Sequence, residues 1–288
     1  MPWGGTVEKR KLTKMKCLLI GFGNMGKIHA KYLTKNNIDW SWYDPAGGGP
    51  IDRESSIDDS LDFDRILIAS SEHSHYKNYM QVRDLGYRGY IFVEKPVALR
   101  ASHINTMLSD EKVIVGMVER FNPAIQALKQ AMDRDKVINI DFSRCCVSTQ
   151  SSKVSIFEDI GIHDIDLLFY LIGLEKIPEY NVVSIDRTTV FCSTSPLVRM
   201  IWSKDTFFKE RKIIVRQTDC TYEVDLQEQS VVMHWEVNGN HVSRSLFVEK
   251  ASPVENEHKS FFSNQPIYIN CNRSHELLIE ISTNEKHI

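Results

Sequence analysis

Short apolar runs alternate with helix-like segments from Lys16 to about Met117. The runs KCLLI, DWSWYD, DRILIASS and YIFVEKP have the length and composition of buried strands, whereas KIHAKYL and HSHYKNYMQVRDLG have helical spacing. An alternation of strand and helix is typical of a parallel sheet with helices on both faces. The pattern therefore predicts an α/β fold whose N-terminal part is a doubly wound parallel sheet.

The pattern changes after GMVERFNPAIQALKQAM, which predicts a helix from about Pro123. The β-rich segments that follow have turn residues between them and little helix: VINIDFSRCCVS, NVVSIDRTTVF, LVRMIWS, RKIIVRQ, CTYEVDLQ, SVVMHWEV and HVSRSLFVEK. They predict a C-terminal α+β domain with a large open, mostly antiparallel sheet. The domain boundary is expected near Val118, giving a first domain of 1–118 and a second of 119–288.

Three helices are predicted in this second domain besides the one at Pro123. The segment EDIGIHDIDLLFYLIG is expected to pack against the sheet, and PVENEHKSFF and SHELLIEIS are expected to be short closing helices, although LLIEIS also fits a strand. A sheet that helices cover on one face only needs cover on the other. A homodimer or homotetramer through that open face is therefore expected.

Composition and charge narrow the classes of function. The chain has 288 residues, ordinary globular composition and a formal net charge of -3, which argues against a nucleic-acid binder that neutralises phosphates. Its longest apolar run, LLFYLIGL, is far shorter than the roughly 18 residues that predict a membrane span. The six cysteines form no CxxC pair, so a reduced, cytoplasmic protein with a frayed N-terminal extension and no metal site is expected.

A glycine motif, GFGNMG, stands between the first predicted strand and the first helix. In this context Gly21 allows a tight turn, Gly23 lets the backbone approach a pyrophosphate, and Gly26 lets helix and strand pack closely. Asn24 and Met25 open the helix, whose free N–H groups suit an anion. The motif predicts a Rossmann dinucleotide-binding domain, the alternative being a glycine turn without a ligand.

The choice of dinucleotide depends on Asp44, which ends the second strand about 20 residues beyond the glycines. An acid there binds the adenosine ribose hydroxyls and repels a 2′-phosphate. The following PAGGGP has no Arg or Lys to neutralise such a phosphate, so NAD is predicted over NADP. An ordinary Asp-Pro turn is the alternative interpretation of Asp44.

Polar residues follow two later strands, at the sheet edge where such folds bind ligands. Ser70 and Ser71 follow the third strand, and Glu94 and Lys95 end the fourth, so all four are expected at the cofactor. His75 is a further candidate for the cofactor crevice, although a histidine there is more often a helix cap or a surface residue. Lys95 is equally compatible with a solvated strand end.

An acid, an imidazole and an acid share one face of the helix predicted from EDIGIHDIDLLFYLIG. Asp159, His163 and Asp166 stand at i, i+4 and i+7 among apolar residues. A solvated helix face is the plain alternative, and metal ligation by the three is disfavoured because no cysteine or second histidine joins them.

Together, the GxGxxG, the EKP triplet, RFNP and Asp-x-x-x-His resemble the glucose-fructose oxidoreductase / inositol dehydrogenase family (Gfo/Idh/MocA) over nearly the whole chain. The resemblance implies NAD(P)-dependent oxidoreductase chemistry, with the active site between the two domains. It places the family's catalytic lysine on Lys95 and its Asp and His on Asp159 and His163. It also puts Arg120 and Asn122 beside the substrate, and it suggests a structural role for Asp166.

The resemblance implies a dehydrogenase acting on a ring hydroxyl of a sugar or polyol, with nucleotide sugars included. His163 would take the hydroxyl proton, Asp159 would hold or tune the imidazole, and Lys95 would stabilise the developing alkoxide. Two alternatives stay open: a reductase like the biliverdin-reductase branch of the family, and a non-catalytic dinucleotide sensor. The Asp/His pair counts against both.

Overall fold

A five-stranded parallel sheet forms the N-terminal half. The computed structural model describes residues 14–147, 155–185, 187–194 and 197–284, so the expected N-terminal extension lies outside the described residues. The strands lie in the order β2-β1-β3-β4-β5. Their bounds are β1 (Lys16–Ile20), β2 (Asp39–Tyr43), β3 (Arg65–Ile68), β4 (Tyr90–Glu94) and β5 (Val113–Gly116).

Helices flank this sheet, as the alternating pattern predicts. They are α1 (Asn24–Lys35), α2 (His75–Asp84) and α3 (Ala101–Leu108). Strands β1, β3 and β4 are almost wholly buried, which is why they are continuous apolar runs rather than alternating ones. From β1 the chain passes to β2 on one side and to β3, β4 and β5 on the other. The order thus reverses between β1 and β3, where such sheets bind ligands.

An eight-stranded sheet forms the second half, in the order β13-β12-β11-β10-β6-β9-β8-β7. All neighbours are antiparallel except β6 and β9, which confirms the mostly antiparallel prediction. The bounds are β6 (Val137–Val147), β7 (Tyr180–Ile185), β8 (Thr188–Thr194), β9 (Leu197–Thr206), β10 (Glu210–Gln217), β11 (Thr221–Asp225), β12 (Ser230–Val237) and β13 (Asn240–Ser245).

The helices of the second half are α4 (Pro123–Ala131), α5 (Ile162–Ile172), α6 (Pro253–Phe261) and α7 (Asn272–Asn284). LLIEIS is therefore helical. A five-residue π-helical turn, Phe157–Gly161, leads into α5, and Gly173 ends α5 with a φ of 74°. Phe157 packs edge to face on Trp202 of β9, so this segment covers one face of the sheet. The oligomer predicted through the opposite face stays a prediction.

Helix α6 returns to the first sheet, where Phe261 packs edge to face against Phe92 of β4. The parallel sheet ends at Gly116 and β6 begins at Val137, close to the boundary expected at Val118. The division into 1–118 and 119–288 stays a prediction, because α6 packs on the sheet of the first part. In the described ranges, no helix combines the length and the apolar character needed to cross a membrane.

Candidate active site

The glycine loop between β1 and α1 uses its three glycines in different ways. Gly21 has a φ of 99°, and a Cβ on it would lie 2.4 Å from the backbone nitrogen of Ser70. A Cβ on Gly26 would lie 2.1 Å from the carbonyl oxygen of Gly21. Gly23 has an ordinary φ of -70°, and a Cβ there would meet nothing within 4 Å. The protein's own packing explains two glycines, and the third keeps a cradle open for a ligand.

The first turn of α1 faces this opening without a cap. Among the residues that the structure describes, no side chain accepts its N–H groups; no acidic residue stands in the turn, and Lys27 N is the first to donate back, to Gly23 O at 3.0 Å. Free N–H groups and the positive helix end together attract anions. The loop therefore fits the pyrophosphate of a dinucleotide.

A cleft of about 750 Å³ lies over the carboxyl ends of β1, β3 and β4. Of the residues predicted to bind the cofactor, it is lined by Gly21, Gly23, Asn24, Met25, Asp44, Ser70, Ser71, His75, Glu94 and Lys95. Tyr43, Lys77 and Asn78 also line it and were not predicted. Lys77 and Asn78 lie on the first turn of α2, directly after the predicted serine loop. Their position along the chain could have identified them as lining residues.

The Asp44 carboxylate accepts a hydrogen bond within the turn that follows β2, and it also lines the cleft. Its Oδ2 accepts from Phe22 N at 2.8 Å and its Oδ1 from Ala46 N at 2.9 Å. A carboxylate oxygen has a second lone pair, so both oxygens can still accept from ribose hydroxyls. The turn interpretation and the ribose interpretation are thus compatible.

His75 holds two loops together with its ring nitrogens. Nδ1 lies 3.0 Å from Pro96 O, and Nε2 lies 3.0 Å from Ser70 O. Burial lowers the pKa of this imidazole, and its neutral form donates to one of the two carbonyls at a time. Its nitrogens face the protein, so in the cleft it supports the loops after β3 and β4 and leaves polar contact with a cofactor to its neighbours.

Lys95 and Asp159 meet across the two halves of the molecule. Lys95 Nζ donates to the carbonyl oxygen of Asp159 at 2.6 Å and lies 3.7 Å from its Oδ1. Burial lowers the pKa of the Lys95 ammonium, and the Asp159 carboxylate partly opposes that shift. The lysine at the end of β4 is therefore aimed at the turn that precedes α5.

His163 is the second residue of α5, and its side chain is half-buried. Its Nδ1 is buried and has no hydrogen-bond partner in the described part of the chain. Burial, then the charges of Lys95 and two arginines, hold the pKa of this imidazole well below its usual value of 6.5. At neutral pH it is an uncharged base, the form that can accept a proton.

The predicted contact between Asp159 and His163 does not form. Instead, Asp159 Oδ2 lies 2.7 Å from Nζ of Lys204, a residue of β9. The i, i+4 argument assumed α-helical spacing, but Phe157–Gly161 is a π-helical turn, which rotates Asp159 away from the face of His163. Lys204 was missed, although it follows the buried Trp202 by two residues on a strand and so shares its inner face.

Arg120 and Asn122 are engaged by partners within the protein, and their predicted place beside the substrate stays a prediction. Arg120 makes a two-pronged ion pair with Asp166 at 2.7 and 2.6 Å, and Ser274 Oγ donates to the same carboxylate at 3.0 Å. Asn122 is buried, caps α4 through Ala124 N and donates to Leu226 O. Both side chains satisfy their polar groups within the protein. The ion pair of Asp166 fits the structural role that the resemblance implied.

A chain of buried polar groups backs the loop that holds Lys95. Glu94 Oε1 lies 2.8 Å from His29 Nε2 on α1, and His29 Nδ1 lies 2.7 Å from His258 Nε2 on α6. Since the carboxylate accepts from His29, a neutral His29 accepts in turn from His258. Sequence reasoning found Glu94 alone, because the two histidines lie 229 residues apart.

The sequence of the chain was compared with family models and with known proteins. No family model matches the chain. The inositol 2-dehydrogenase of Rhizobium meliloti (strain 1021) is 25% identical over 185 residues, covering 55% of each chain. The NAD(+) scyllo-inositol 2-dehydrogenase of Bacillus subtilis (strain 168) is 25% identical over 190 residues, covering 56% of this chain and 55% of that protein. The chain spans about half the length of these curated relatives.

Solved structures share the whole fold. UDP-N-acetylglucosamine 3-dehydrogenase GnnA from Acidithiobacillus ferrooxidans superposes with a TM-score of 0.79 at 16% identity, covering 94% of this chain and 98% of that one. The dehydrogenase MviM from Clostridium difficile gives a TM-score of 0.71 at 17% identity, covering 95% and 100%. The inositol dehydrogenases among the sequence relatives confirm the predicted resemblance to the glucose-fructose oxidoreductase / inositol dehydrogenase family, and the solved structures confirm the predicted fold.

Proposed function

We propose that the protein is an NAD-dependent dehydrogenase that oxidises a ring hydroxyl of a sugar or polyol. The observation that carries the proposal is that Lys95, which lines the cleft at the glycine loop, donates to the carbonyl oxygen of Asp159 in the turn that leads to His163. Inositol dehydrogenases among the sequence relatives support the substrate class. The open cradle at Gly23 supports a dinucleotide.

The residues divide the work of one oxidation step. His163 takes the hydroxyl proton as the carbon–hydrogen bond breaks, and Lys95 donates a hydrogen bond to the oxygen while it carries alkoxide charge. The oxygen keeps the electron pair of the broken O–H bond and forms the carbonyl. A nicotinamide held in the cleft would supply the acceptor for the hydride. Asp159 acts on Lys95 and Lys204 rather than on His163, so its part is to place the lysines.

NAD rather than NADP is proposed because of Asp44 at the end of β2. Its carboxylate lines the cleft, where it would repel a 2′-phosphate. The residues directly after it, PAGGGP, contain no cation to offset that charge.

The test is an assay of NADH formation from NAD with inositols, aldoses, sugar acids and UDP-sugars. His163→Ala should lower turnover by about 10² to 10⁴-fold and leave NADH affinity unchanged, because a base is lost and the cofactor cleft is not. His241→Ala, at an exposed position on β13, is the matched control and should keep full activity. Tight NADH binding without hydride transfer to any substrate would instead identify a dinucleotide sensor.

A further inference from the structure

Basic side chains gather on the inner face of the second sheet, beside His163. Arg144 of β6 stands opposite Arg211 of β10 and opposite Trp202 of β9. Lys204 follows Trp202 by two residues and so lies on the same face. Lys209 precedes β10 next to Arg211, whose charge is the largest cause that lowers the pKa of Lys209. We call Arg144, Lys204, Lys209 and Arg211 the basic patch.

The inner members of the basic patch are already paired with carboxylates. Arg144 binds Asp164 at 2.7 Å and Glu119 at 2.9 Å, and all three are buried. Lys204 lies 2.7 Å from Asp159. These pairs hold the inner cations in place and offset their charge, because three carboxylates face two cations.

The outer members are different, because their charges are only partly matched. Arg211 reaches Glu119 Oε1 at 3.2 Å through NH1 alone, and Arg144 already binds that oxygen. Lys209 is exposed, and in the described part of the chain it has no ion pair within 4.0 Å. A guanidinium carries five N–H donors, so most of those on Arg211 remain available at a site that is 38% exposed.

The field of this patch reaches the proposed base. The charges that lower the pKa of His163 are all cationic: Lys95, Arg144 and Arg211. The pKa of Arg211 is itself lowered, first by burial and then by Arg144. Together with Lys95, the basic patch carries five positive charges against the three carboxylates that pair with these cations, and a neutral substrate would leave the excess uncompensated.

We infer that the substrate carries an anionic group, a carboxylate or a phosphate, which binds Lys209 and Arg211 while its hydroxyl lies at His163. Arginine presents paired donors that match either anion, and lysine adds a point charge. The inference rests on the proposed function and narrows it: sugar acids, sugar phosphates or nucleotide sugars are substrates, and neutral polyols and aldoses are poor ones.

Matched substrates test the class of anion. Glucose, glucuronate and glucose 6-phosphate form one set, and N-acetylglucosamine with its UDP conjugate forms a second. We expect kcat/KM for at least one anionic member to exceed that of its neutral parent at least tenfold, with the difference in KM. A higher value for glucuronate identifies a carboxylate, and a higher value for the phosphate or the UDP-sugar identifies a phosphate. Equal or better use of the neutral parents would overturn the inference.

Matched variants test the residues. Arg211→Gln and Lys209→Gln should each reduce the preference for the anionic substrate by about 10- to 100-fold, the loss expected for one charge-assisted hydrogen bond. Lys212→Gln is the control, since Lys212 is adjacent on β10, points to the opposite face and pairs with Glu210 at 3.7 Å. An equal loss in Lys212→Gln would mean a general charge effect and refute the patch as a site.

A binding measurement separates failure of the inference from failure of the proposed function. Inorganic phosphate and glucuronate are titrated calorimetrically into the protein saturated with NADH, so that the pyrophosphate site is filled. Binding that weakens with salt and is lost in Arg211→Gln would uphold the anion site even if no substrate is oxidised. Turnover of a neutral polyol without anion binding would uphold the dehydrogenase and overturn the anion site.

Discussion

At the residue scale, the glycine loop separates what the fold needs from what the ligand needs. Gly21 and Gly26 have no room for a methyl group, because backbone atoms lie within 3.0 Å of the Cβ position. Gly23 has room and an ordinary φ. The protein would tolerate a side chain at Gly23, so the requirement for glycine there comes from whatever occupies the cleft.

This difference predicts opposite effects for two conservative substitutions. Gly23→Ala should change the free energy of unfolding by less than about 1 kcal/mol, yet weaken NADH binding at least about tenfold, because the methyl group projects into the cradle. Gly21→Ala should lower the free energy of unfolding by more than about 1 kcal/mol, since its φ of 99° is strained for alanine. Denaturant unfolding and NADH titration of both variants provide the comparison. Normal NADH affinity in a folded Gly23→Ala would show that no ligand approaches there.

Residues whose role is local could be predicted from the sequence, and those whose partner is distant could not. Spacing alone identified Gly21, Gly23 and Gly26, and the strand end identified Lys95. Lys204 lies 45 residues beyond Asp159, and nothing in the local pattern pairs them. The partners of Arg120 and Asn122, at Asp166 and Leu226, were likewise not predictable, because a motif gives position along the chain but not the direction of the side chain.

At the element scale, α5 is positioned by buried ion pairs on two sides. Asp164 binds Arg144 of the second sheet, and Asp166 binds Arg120 and Ser274. Periodicity predicted the helix but not the π-helical turn before it, because five residues are too few for a sequence period to separate the two geometries. That turn is what aims Asp159 at the lysines.

The pair at Asp166 should be worth much more to stability than a surface pair. Asp166→Ala leaves the Arg120 guanidinium buried without its counter-charge, so we expect a loss of about 3 kcal/mol in the free energy of unfolding. Asp219→Ala breaks an ion pair with Lys136 whose side chains are about half exposed to screening solvent, and it should leave the free energy of unfolding nearly unchanged. Urea unfolding measures both. Similar losses in the two variants would mean that the Asp166 pair is solvated.

At the scale of the whole molecule, buried histidines tie stability to pH. Burial lowers the pKa of His75, His163 and His275, and burial with the neighbouring His29 lowers the pKa of His258 to about 3. As the pH falls through about 6.5, these histidines become protonated in the unfolded chain but stay neutral in the folded chain. Stability from these groups is therefore full above pH 6.5 and is lost as the pH falls toward the folded-state values.

His258→Leu should reduce by one the number of extra protons that the unfolded chain binds relative to the folded chain. Between pH 5.5 and 4.5, the free energy of unfolding of the unmodified protein should fall more steeply than that of the variant, by about 1.4 kcal/mol per pH unit. The comparison of slopes is needed because Glu257, whose pKa burial raises, acts in the opposite direction. His241→Leu, at an exposed position, is the control. Parallel slopes for His258→Leu and the unmodified protein would show that His258 is protonated in the folded state.

The contact between His29 and His258 also bears on how the protein is made. It closes a loop of 229 residues, and contacts of such long range form late because chain entropy opposes them. On the ribosome, the parallel sheet emerges first and can form its strands, but Glu94 lacks part of its support until α6 has been synthesised. Glu94, the neighbour of Lys95, thus gains its full set of buried partners only after the residues of the second sheet have been synthesised.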